Sequence, residues 1–422
     1  MGVLELSAIL LTLASIFTLI NIRWLKLPQT IGLMILALSL SLIVTLVGVV
    51  FPQFFRAVIE VTGAFDFSEL LVNVMLPFLL FAGAISVNVH ELLKDKLTIL
   101  LLASFGVLFS TFAVGTGVYW LIEQPLFGLS DLGLTYIDCL LFGALIAPTD
   151  PIAVLAMIKK MKLSSITETR IAGESLFNDG IGVVVFLTLL EVRQDGIENI
   201  TAAAVGGLFL TEVIGGIVLG TLMGFLGLKL LKYIENEQTE LEVLVTISLV
   251  MLLPIISHQF HFSAVLGVVM MGLFLNRNLD IDKKQEGLQS AMGDYVYKFW
   301  HLLDETLNAI LFILIGLEII TVFEAFQLPF ISISLLVILL VVLSRGIGVV
   351  LPIAFLSLFK KFEKNTALII TWGGLRGGLS VALALNLPDA IGEGKALILF
   401  LTYVIVLFTI LGQGLTLKKI VK

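Results

Sequence analysis

Long apolar segments alternate with short polar segments along the whole chain. Each apolar segment holds about 20 residues, the length that a helix needs to cross the hydrocarbon core of a membrane. The apolar–polar alternation of a membrane β-barrel strand does not occur. The pattern predicts an all-α polytopic membrane protein of about thirteen spans, near residues 3–21, 31–50, 69–87, 98–121, 136–158, 170–190, 204–228, 240–257, 262–276, 299–320, 330–357, 365–386 and 396–416.

The composition agrees with this interpretation. Of the 422 residues, 59% are hydrophobic and 14% are charged, and the mean hydropathy is +1.10. Soluble domains average about 25% charged residues. The single cysteine, Cys139, excludes an internal disulfide and fits no metal-ligand spacing. No nucleophile or cofactor motif occurs, so we expect neither an enzyme nor a bound cofactor, and no partnership with nucleic acid.

The positive charges predict how the chain lies in the membrane. Of the 25 lysines and arginines, 20 lie in the loops after odd-numbered spans or in the C-terminal tail, and 3 lie in the other loops. Cytoplasmic loops carry the excess of such residues. We therefore expect a cell-membrane protein with its N-terminus outside and its C-terminus in the cytoplasm. The tail after the last span is too short for a regulatory domain.

The fifth span has a polar interruption at membrane depth, Pro148-Thr149-Asp150-Pro151. Each proline lacks an N–H group and disfavours helical geometry in the residue before it. Backbone groups freed in this way must face protein or water, because lipid cannot satisfy them. The carbonyl, hydroxyl and carboxylate oxygens of this segment suit a small cation or a proton. The alternative is a simple structural kink.

The sixth span carries polar side chains on one face. At 100° per residue, Glu174, Ser175, Asn178 and Asp179 fall within an arc of about 140°. Gly182 falls within the same arc and would allow another segment to approach closely. Ionisable residues at bilayer depth are functional candidates by default, although Glu174 alone could be a solvated charge at the helix start.

The twelfth span predicts a second interruption, because four glycines surround Arg376 in the stretch "GGLRGG". Close packing of helices through small residues is the alternative. The two interrupted spans lie seven spans apart, and an odd offset reverses the direction of a span. This arrangement is typical of inverted repeats, in which two broken helices cross at a binding site near the midplane.

Four stretches resemble a known family in residue type and in order: "APTDP", "GESLFND", "LSRGIGV" and "GGLRGG". They are similar to the motifs of the monovalent cation–proton antiporter family, in the branch of the NhaP-type and NHE-type sodium/proton exchangers. The resemblance covers essentially the whole chain. It implies a fold of thirteen spans with two crossed broken helices, and homodimers in which a core part moves against a dimerisation part.

The resemblance also implies roles for individual residues. Glu174 would form a buried ion pair with Arg345, and Arg376 would offset helix-end charge where the broken helices cross. Asp179 would bind either the cation or the proton. The full set for the transported ion would be Asp150, Asp179, Thr149, Ser175 and Asn178.

Two positions depart from the family pattern in the third span and just after it. Many members carry an acid where this chain has Ala82, and relatives often have Asp at the position of Asn88. If the missing acid holds the cation in relatives, this site has one carboxylate fewer.

We therefore expect an electroneutral antiporter that exchanges Na⁺, and also Li⁺, for H⁺ by alternating access. A K⁺/H⁺ antiporter of the same fold remains open. A cation channel would need a continuous polar pore, and an organic-acid symporter would need an accessible arginine in a roomy site. The core part would comprise about 69–190 and 299–416, and the dimerisation part about 1–50 and 204–276, within a single membrane domain.

Overall fold

The computed structural model describes residues 3–53, 67–152, 154–155, 164–195, 202–234, 239–286, 291–324 and 328–420. These residues form helices and short connections, with no strand among them. The prediction of an all-helical membrane protein is confirmed.

Sixteen α-helices of six or more residues follow one another in the described ranges, together with a four-residue α-helix, Phe67–Leu70. Three π-helical segments adjoin these helices: Asn21–Leu25, Leu71–Met75 and Phe408–Gln413. The helices are α1 (Val3–Ile20), α2 (Gln29–Val50), α3 (Leu76–Ser86), α4 (Val89–Lys94), α5 (Lys96–Ile122), α6 (Tyr136–Ile146), α7 (Ser165–Asp195), α8 (Ala202–Tyr233), α9 (Thr239–Gln259), α10 (Ala264–Glu286), α11 (Ala291–Glu324), α12 (Leu328–Ser357), α13 (Thr366–Trp372), α14 (Gly378–Leu385), α15 (Glu393–Leu407) and α16 (Gly414–Ile420).

Eight helical segments of the described chain are long and apolar enough to cross a membrane, and three shorter apolar helices accompany them. The shorter ones are Leu71–Ser86, Tyr136–Ile146 and Ala264–Asn278. The count of thirteen spans stays a prediction, because length and composition alone do not establish it.

Both predicted interruptions are present. Helix α6 ends at Ile146, and residues 147–151 leave the helical path. Helix α13 ends at Trp372, and α14 begins at Gly378 after a non-helical connection. The backbone N–H of Asp150 donates to the carbonyl of Leu375 at 2.7 Å. One break therefore satisfies a backbone group of the other, and the two broken helices cross, as predicted.

Helices α10 and α11 extend further toward each other than the sequence indicates. The predicted spans 262–276 and 299–320 leave 277–298 as a polar connection, yet α10 continues to Glu286 and α11 begins at Ala291. Because the residues at the facing ends of these two helices are polar, apolar length did not predict where the helices end. As a consequence, Asp304 lies well inside α11 rather than at its edge.

At one end of the bundle, three segments are joined by a charged cluster around Asp95, which lies between α4 and α5. Arg170 of α7 and Lys360 of the loop after α12 both donate to the carboxylate of Asp95, and Thr98 donates at 2.6 Å. Burial raises the pKa of Asp95, but Lys360, Thr98 and Arg170 together outweigh burial and hold the pKa below its ordinary value of 3.8.

Replacing Asp95 with asparagine should destabilise the protein by about 3–5 kcal/mol, since the buried Arg170 loses its counter-charge. Because the pKa of Asp95 is lowered by folding, its contribution is fully present above pH 3.8 and is lost as the pH falls through the folded value. Thermal melting in detergent from neutral to acid pH is the measurement. Asp95→Asn should melt lower at neutral pH and lose less on acidification. Parallel curves for the two proteins would contradict the role of Asp95.

Candidate functional site

The break in α6 is held by the polar face of α7. The side-chain oxygen of Asn178 accepts from the N–H of Thr149 at 3.2 Å, and its amide nitrogen donates to the Thr149 hydroxyl at 2.7 Å. The Ser175 hydroxyl donates to the Thr149 carbonyl. All three side chains are buried. Side chains of α7 therefore bond the N–H and the carbonyl of Thr149, which have no helical partners where α6 is interrupted. An interrupted helix at membrane depth requires such replacements.

Asp150 occupies the crossing of the two breaks. Its N–H bonds to Leu375, and its Oδ1 accepts from the N–H of Ile152 at 2.8 Å. Gly377 lies so close that a Cβ atom there would be 2.9 Å from Oδ2 of Asp150. A glycine at position 377 is therefore needed for this approach. The carboxylate is fixed at the junction yet remains partly exposed.

Asp179 is the second carboxylate of the crossing. It follows Asn178 on α7 and is partly exposed, in contrast to the buried Asn178 and Thr149 beside it. Its charge lies within electrostatic range of Asp150, Glu174 and Arg376. The two partly exposed carboxylates, Asp150 and Asp179, therefore lie next to the buried polar side chains of Thr149 and Asn178. The ring of Pro148 packs against Gly182 on the same helix face, where a Cβ atom would be 2.5 Å from Pro148 Cγ.

Glu174 and Arg345 form a two-pronged ion pair between α7 and α12. The distances are 2.7 Å from Nη1 to Oε1 and 2.8 Å from Nη2 to Oε2. Nη2 also donates to the carbonyl of Ile370 at 3.4 Å, and Asn178 donates to Glu174 Oε1 at 2.9 Å. The pair thus connects α12 and α13 to the residue that holds the α6 break. Glu174 is buried and paired, not a solvated charge at a helix end.

Arg376 lies between the two breaks and is only 1% exposed. Its Nη1 donates to the carbonyl of Pro148 at 3.3 Å, and its backbone N–H donates to the Thr409 hydroxyl at 3.0 Å. The carboxyl end of a helix carries partial negative charge, which a cation offsets. Arg376 therefore places its charge at the end of α6, next to Asp150 and Asp179.

A comparison with known protein families bears on this arrangement. The family model described as "Sodium/hydrogen exchanger, transmembrane" matches residues 9–422.

The chain belongs to the sodium/hydrogen exchanger family.

Similar proteins agree with this membership. The chain is 40% identical to the Na⁺/H⁺ antiporter NhaP of Pseudomonas aeruginosa, over 99% of this chain and 96% of the relative. It is 33% identical to the Na⁺/H⁺ antiporter NhaH of Halobacillus dabanensis, over 98% and 96%. The solved structure of the sodium proton antiporter MjNhaP1 from Methanocaldococcus jannaschii superposes with a TM-score of 0.74 at 20% identity, covering 99% of this chain and 98% of that one. The fold of this exchanger is therefore the fold of that structure.

The two departures from the family pattern have different structural settings in this exchanger. Ala82 lies in α3 and is 1% exposed, and its carbonyl accepts from the Ser86 hydroxyl at 2.7 Å. Asn88 caps the amino end of α4 by accepting from the N–H of Glu91 at 3.2 Å. Asparagine and aspartate cap helices about equally well, so the change at position 88 has a simple structural account. No such account covers the missing acid at position 82.

One acidic residue near Asp150 was not among the residues singled out from the sequence. Asp304 lies on α11, is partly exposed, and has a charge within electrostatic range of Asp150. The sequence does indicate Asp304 as a candidate, since it is an ionisable residue within the tenth predicted span. It was missed because the predicted span began near residue 299, which placed Asp304 close to a membrane surface.

Proposed function

We propose that this protein exchanges Na⁺, and also Li⁺, for H⁺ across the cell membrane by alternating access. The observation that carries the proposal is the position of Asp150. Its N–H bonds to the opposing break, and its accessible carboxylate lies within range of Asp179. The family membership and the names of the similar proteins support Na⁺ and H⁺ as the two exchanged ions.

The proposed mechanism is competition for the same oxygens. Asp150 and Asp179 present carboxylate oxygens, and the broken segment adds the carbonyl and hydroxyl oxygens of Thr149. Hard monovalent cations are held by oxygen ligands of this kind. A carboxylate that holds a proton loses its charge and much of its attraction for a cation. If the site changes the side to which it opens readily when it holds an ion, and not when it is empty, transport becomes obligatory exchange.

We further propose that the exchange is one-for-one and electroneutral. Asn178 precedes Asp179 on α7, so this adjacent pair carries one acid instead of two, and Glu174 is neutralised by Arg345. Arg376 offsets part of the remaining negative charge. The moving site then carries the same net charge with one cation as with one proton.

The test is exchange in proteoliposomes that contain the purified protein and a pH-sensitive dye. An imposed pH gradient should dissipate on addition of Na⁺ or Li⁺, at a rate that an imposed membrane potential leaves unchanged. Rb⁺ and K⁺ serve as the comparison cations. A response to K⁺ alone would replace the proposal with K⁺/H⁺ exchange. Cation flux without counterflow of protons would indicate a channel and overturn the proposal.

The half-saturating Na⁺ concentration should rise as the pH falls, because protons and Na⁺ occupy the same carboxylates. The limit for one competing proton is about a tenfold rise per pH unit. Initial rates over a matrix of Na⁺ concentrations and pH values give this quantity. A half-saturating concentration that stays constant from acid to neutral pH would exclude a shared site.

We also propose a homodimer in which the part formed by about 1–50 and 204–276 pairs, while the part formed by about 69–190 and 299–416 moves. Helices α8 and α10 support this division by packing closely on each other, since a Cβ at Gly220 would lie 2.0 Å from the carbonyl oxygen of Gly267. Native mass spectrometry should give twice the chain mass of 46.0 kDa. A monomer in lipid-retaining detergents would contradict the proposal.

The orientation that we propose has the N-terminus outside and the C-terminus in the cytoplasm. Cysteines introduced one at a time near each terminus should react with a membrane-impermeant reagent in intact cells only at the N-terminus. The reverse labelling pattern would contradict the orientation.

A further inference from the structure

We infer that Asp304 is a third carboxylate of the transport site, and that it draws the cation toward Asp150 and helps to hold it there. The inference rests on the proposed cation/proton exchange. It assigns a residue to the site that neither the sequence motifs nor the family motifs indicate.

Helix α11, which carries Asp304, contacts the second broken helix. Leu311 packs so tightly on the start of α14 that a Cβ atom at Gly378 would lie 2.4 Å from its Cδ1. The preceding residue, Gly377, also lies close to Asp150, since a Cβ atom there would be 2.8 Å from Asp150 Cβ. Two adjacent glycines therefore join α11 on one side to Asp150 on the other.

Asp304 shares the face of α11 that makes this contact. Residues seven apart on a helix differ by only about 20° in direction, so Asp304 and Leu311 lie on one side. Asn308 lies between them on the same side and is 4% exposed. The direct electrostatic interaction between Asp304 and Asp150 agrees with this placement.

The side chain of Asp304 is held but not neutralised. Asn308 Nδ2 donates to its Oδ1 at 2.9 Å and to its carbonyl at 2.8 Å. Among the described residues, no basic side chain forms an ion pair with Asp304, and no donor reaches its Oδ2. The carboxylate is partly exposed, so the free oxygen is accessible to a cation or to water.

A structural role alone does not explain such a residue. An unpaired carboxylate within a membrane span is costly, and residues of this kind line ion pathways. Asp304 also restores an anionic group in a chain that has Ala82 in place of the acid that many relatives carry. Negative charge near the entrance of a site raises the local cation concentration.

The experiment compares Na⁺-dependent exchange of four proteins in liposomes: the native protein, Asp304→Asn, Asp304→Glu and Glu305→Gln. Glu305 is the matched control, because it carries the same charge in the same helical turn and its side chain is 56% exposed. Asp304→Asn should raise the half-saturating Na⁺ concentration roughly tenfold, which corresponds to a loss of about 1.36 kcal/mol of binding free energy. Its maximal rate should stay within about twofold of that of the native protein. Asp304→Glu should restore most of the affinity, and Glu305→Gln should match the native protein.

The outcomes separate this inference from the proposed function. If the native protein exchanges Na⁺ for H⁺ and Asp304→Asn has the same half-saturating concentration, the inference is wrong and the function stands. A lowered maximal rate at unchanged half-saturation would assign Asp304 a structural role and would also overturn it. If the native protein does not exchange these ions, both fail.

A second measurement covers the case in which Asp304→Asn folds poorly in liposomes. The increase in melting temperature on adding Na⁺ is recorded in detergent for Asp304→Ser and Asp304→Glu. A rightward shift of the Na⁺ dose–response for Asp304→Ser, absent for Asp304→Glu, supports the inference. Identical dose–responses for the two variants and the native protein overturn it.

Discussion

Asp179→Asn should abolish Na⁺/H⁺ exchange, with a loss of at least about 100-fold in rate. The substitution keeps the size of the side chain and one acceptor oxygen but removes the group that alternately holds the proton and the cation. The carboxylate of Asp179 also interacts with the backbone N–H of Thr149, but the side-chain hydrogen bonds that fix the α6 break come from Ser175 and Asn178. The fold should therefore survive the change. Exchange is measured in liposomes by dissipation of a pH gradient on addition of Na⁺.

The matched control is Asp131→Asn, which makes the same chemical change at an exposed position in the connection between α5 and α6. It should leave the exchange rate unaltered. Melting temperatures of both variants and of the native protein in detergent establish that the loss is not caused by unfolding. Substantial exchange by well-folded Asp179→Asn would show that another group carries the proton.

The two broken helices are the part of the fold that residue type predicts best. Proline at positions 148 and 151 removes N–H donors, and the glycines around Arg376 weaken a helix, so neither span can be continuous. Each effect is local and does not depend on which helices pack nearby. The residue that bonds to each break cannot be predicted in this way. That the N–H of Asp150 bonds to Leu375 depends on how two distant helices meet, and no local pattern contains this information.

The polar face of α7 was predictable for a related reason. Helical periodicity places Glu174, Ser175 and Asn178 together whatever the rest of the chain does. Periodicity does not say that Asn178 bonds to Thr149 with both its oxygen and its nitrogen, while Asp179 stays accessible. The roles of these residues in ion binding stay predictions until exchange is measured.

The position of Asp304 was missed because helix ends in polar sequence are hard to place. Apolar length defines a span only where the helix stops at the membrane surface. Helix α11 continues through polar residues to Ala291, so its centre lies nearer to Asp304 than the apolar segment indicates. In such a helix, an acid close to a predicted edge can lie at the depth of the ion site.

The ion pair of Glu174 and Arg345 should dominate the stability of the crossing region. Removing either partner leaves the other charged and buried, and such changes typically cost about 3–5 kcal/mol. Glu174→Gln leaves the buried Arg345 guanidinium without its counter-charge, and Arg345→Gln leaves a buried carboxylate beside Asn178. Each single variant should lower the melting temperature markedly and express poorly.

The double variant, Glu174→Gln with Arg345→Gln, should recover a large part of that loss, because no uncompensated charge remains. Melting of the native protein, the two single variants and the double variant forms a cycle that isolates the coupling between the side chains. The comparison is the surface pair of Lys395 Nζ and Asp389 Oδ1, which are 2.7 Å apart and in which the Asp389 side chain is 98% exposed. Since water solvates its members when they are separated, the same cycle there should show little coupling. If the shifts at Glu174 and Arg345 simply add, the two side chains stabilise the protein independently, and the ion pair does not hold α7 and α12 together.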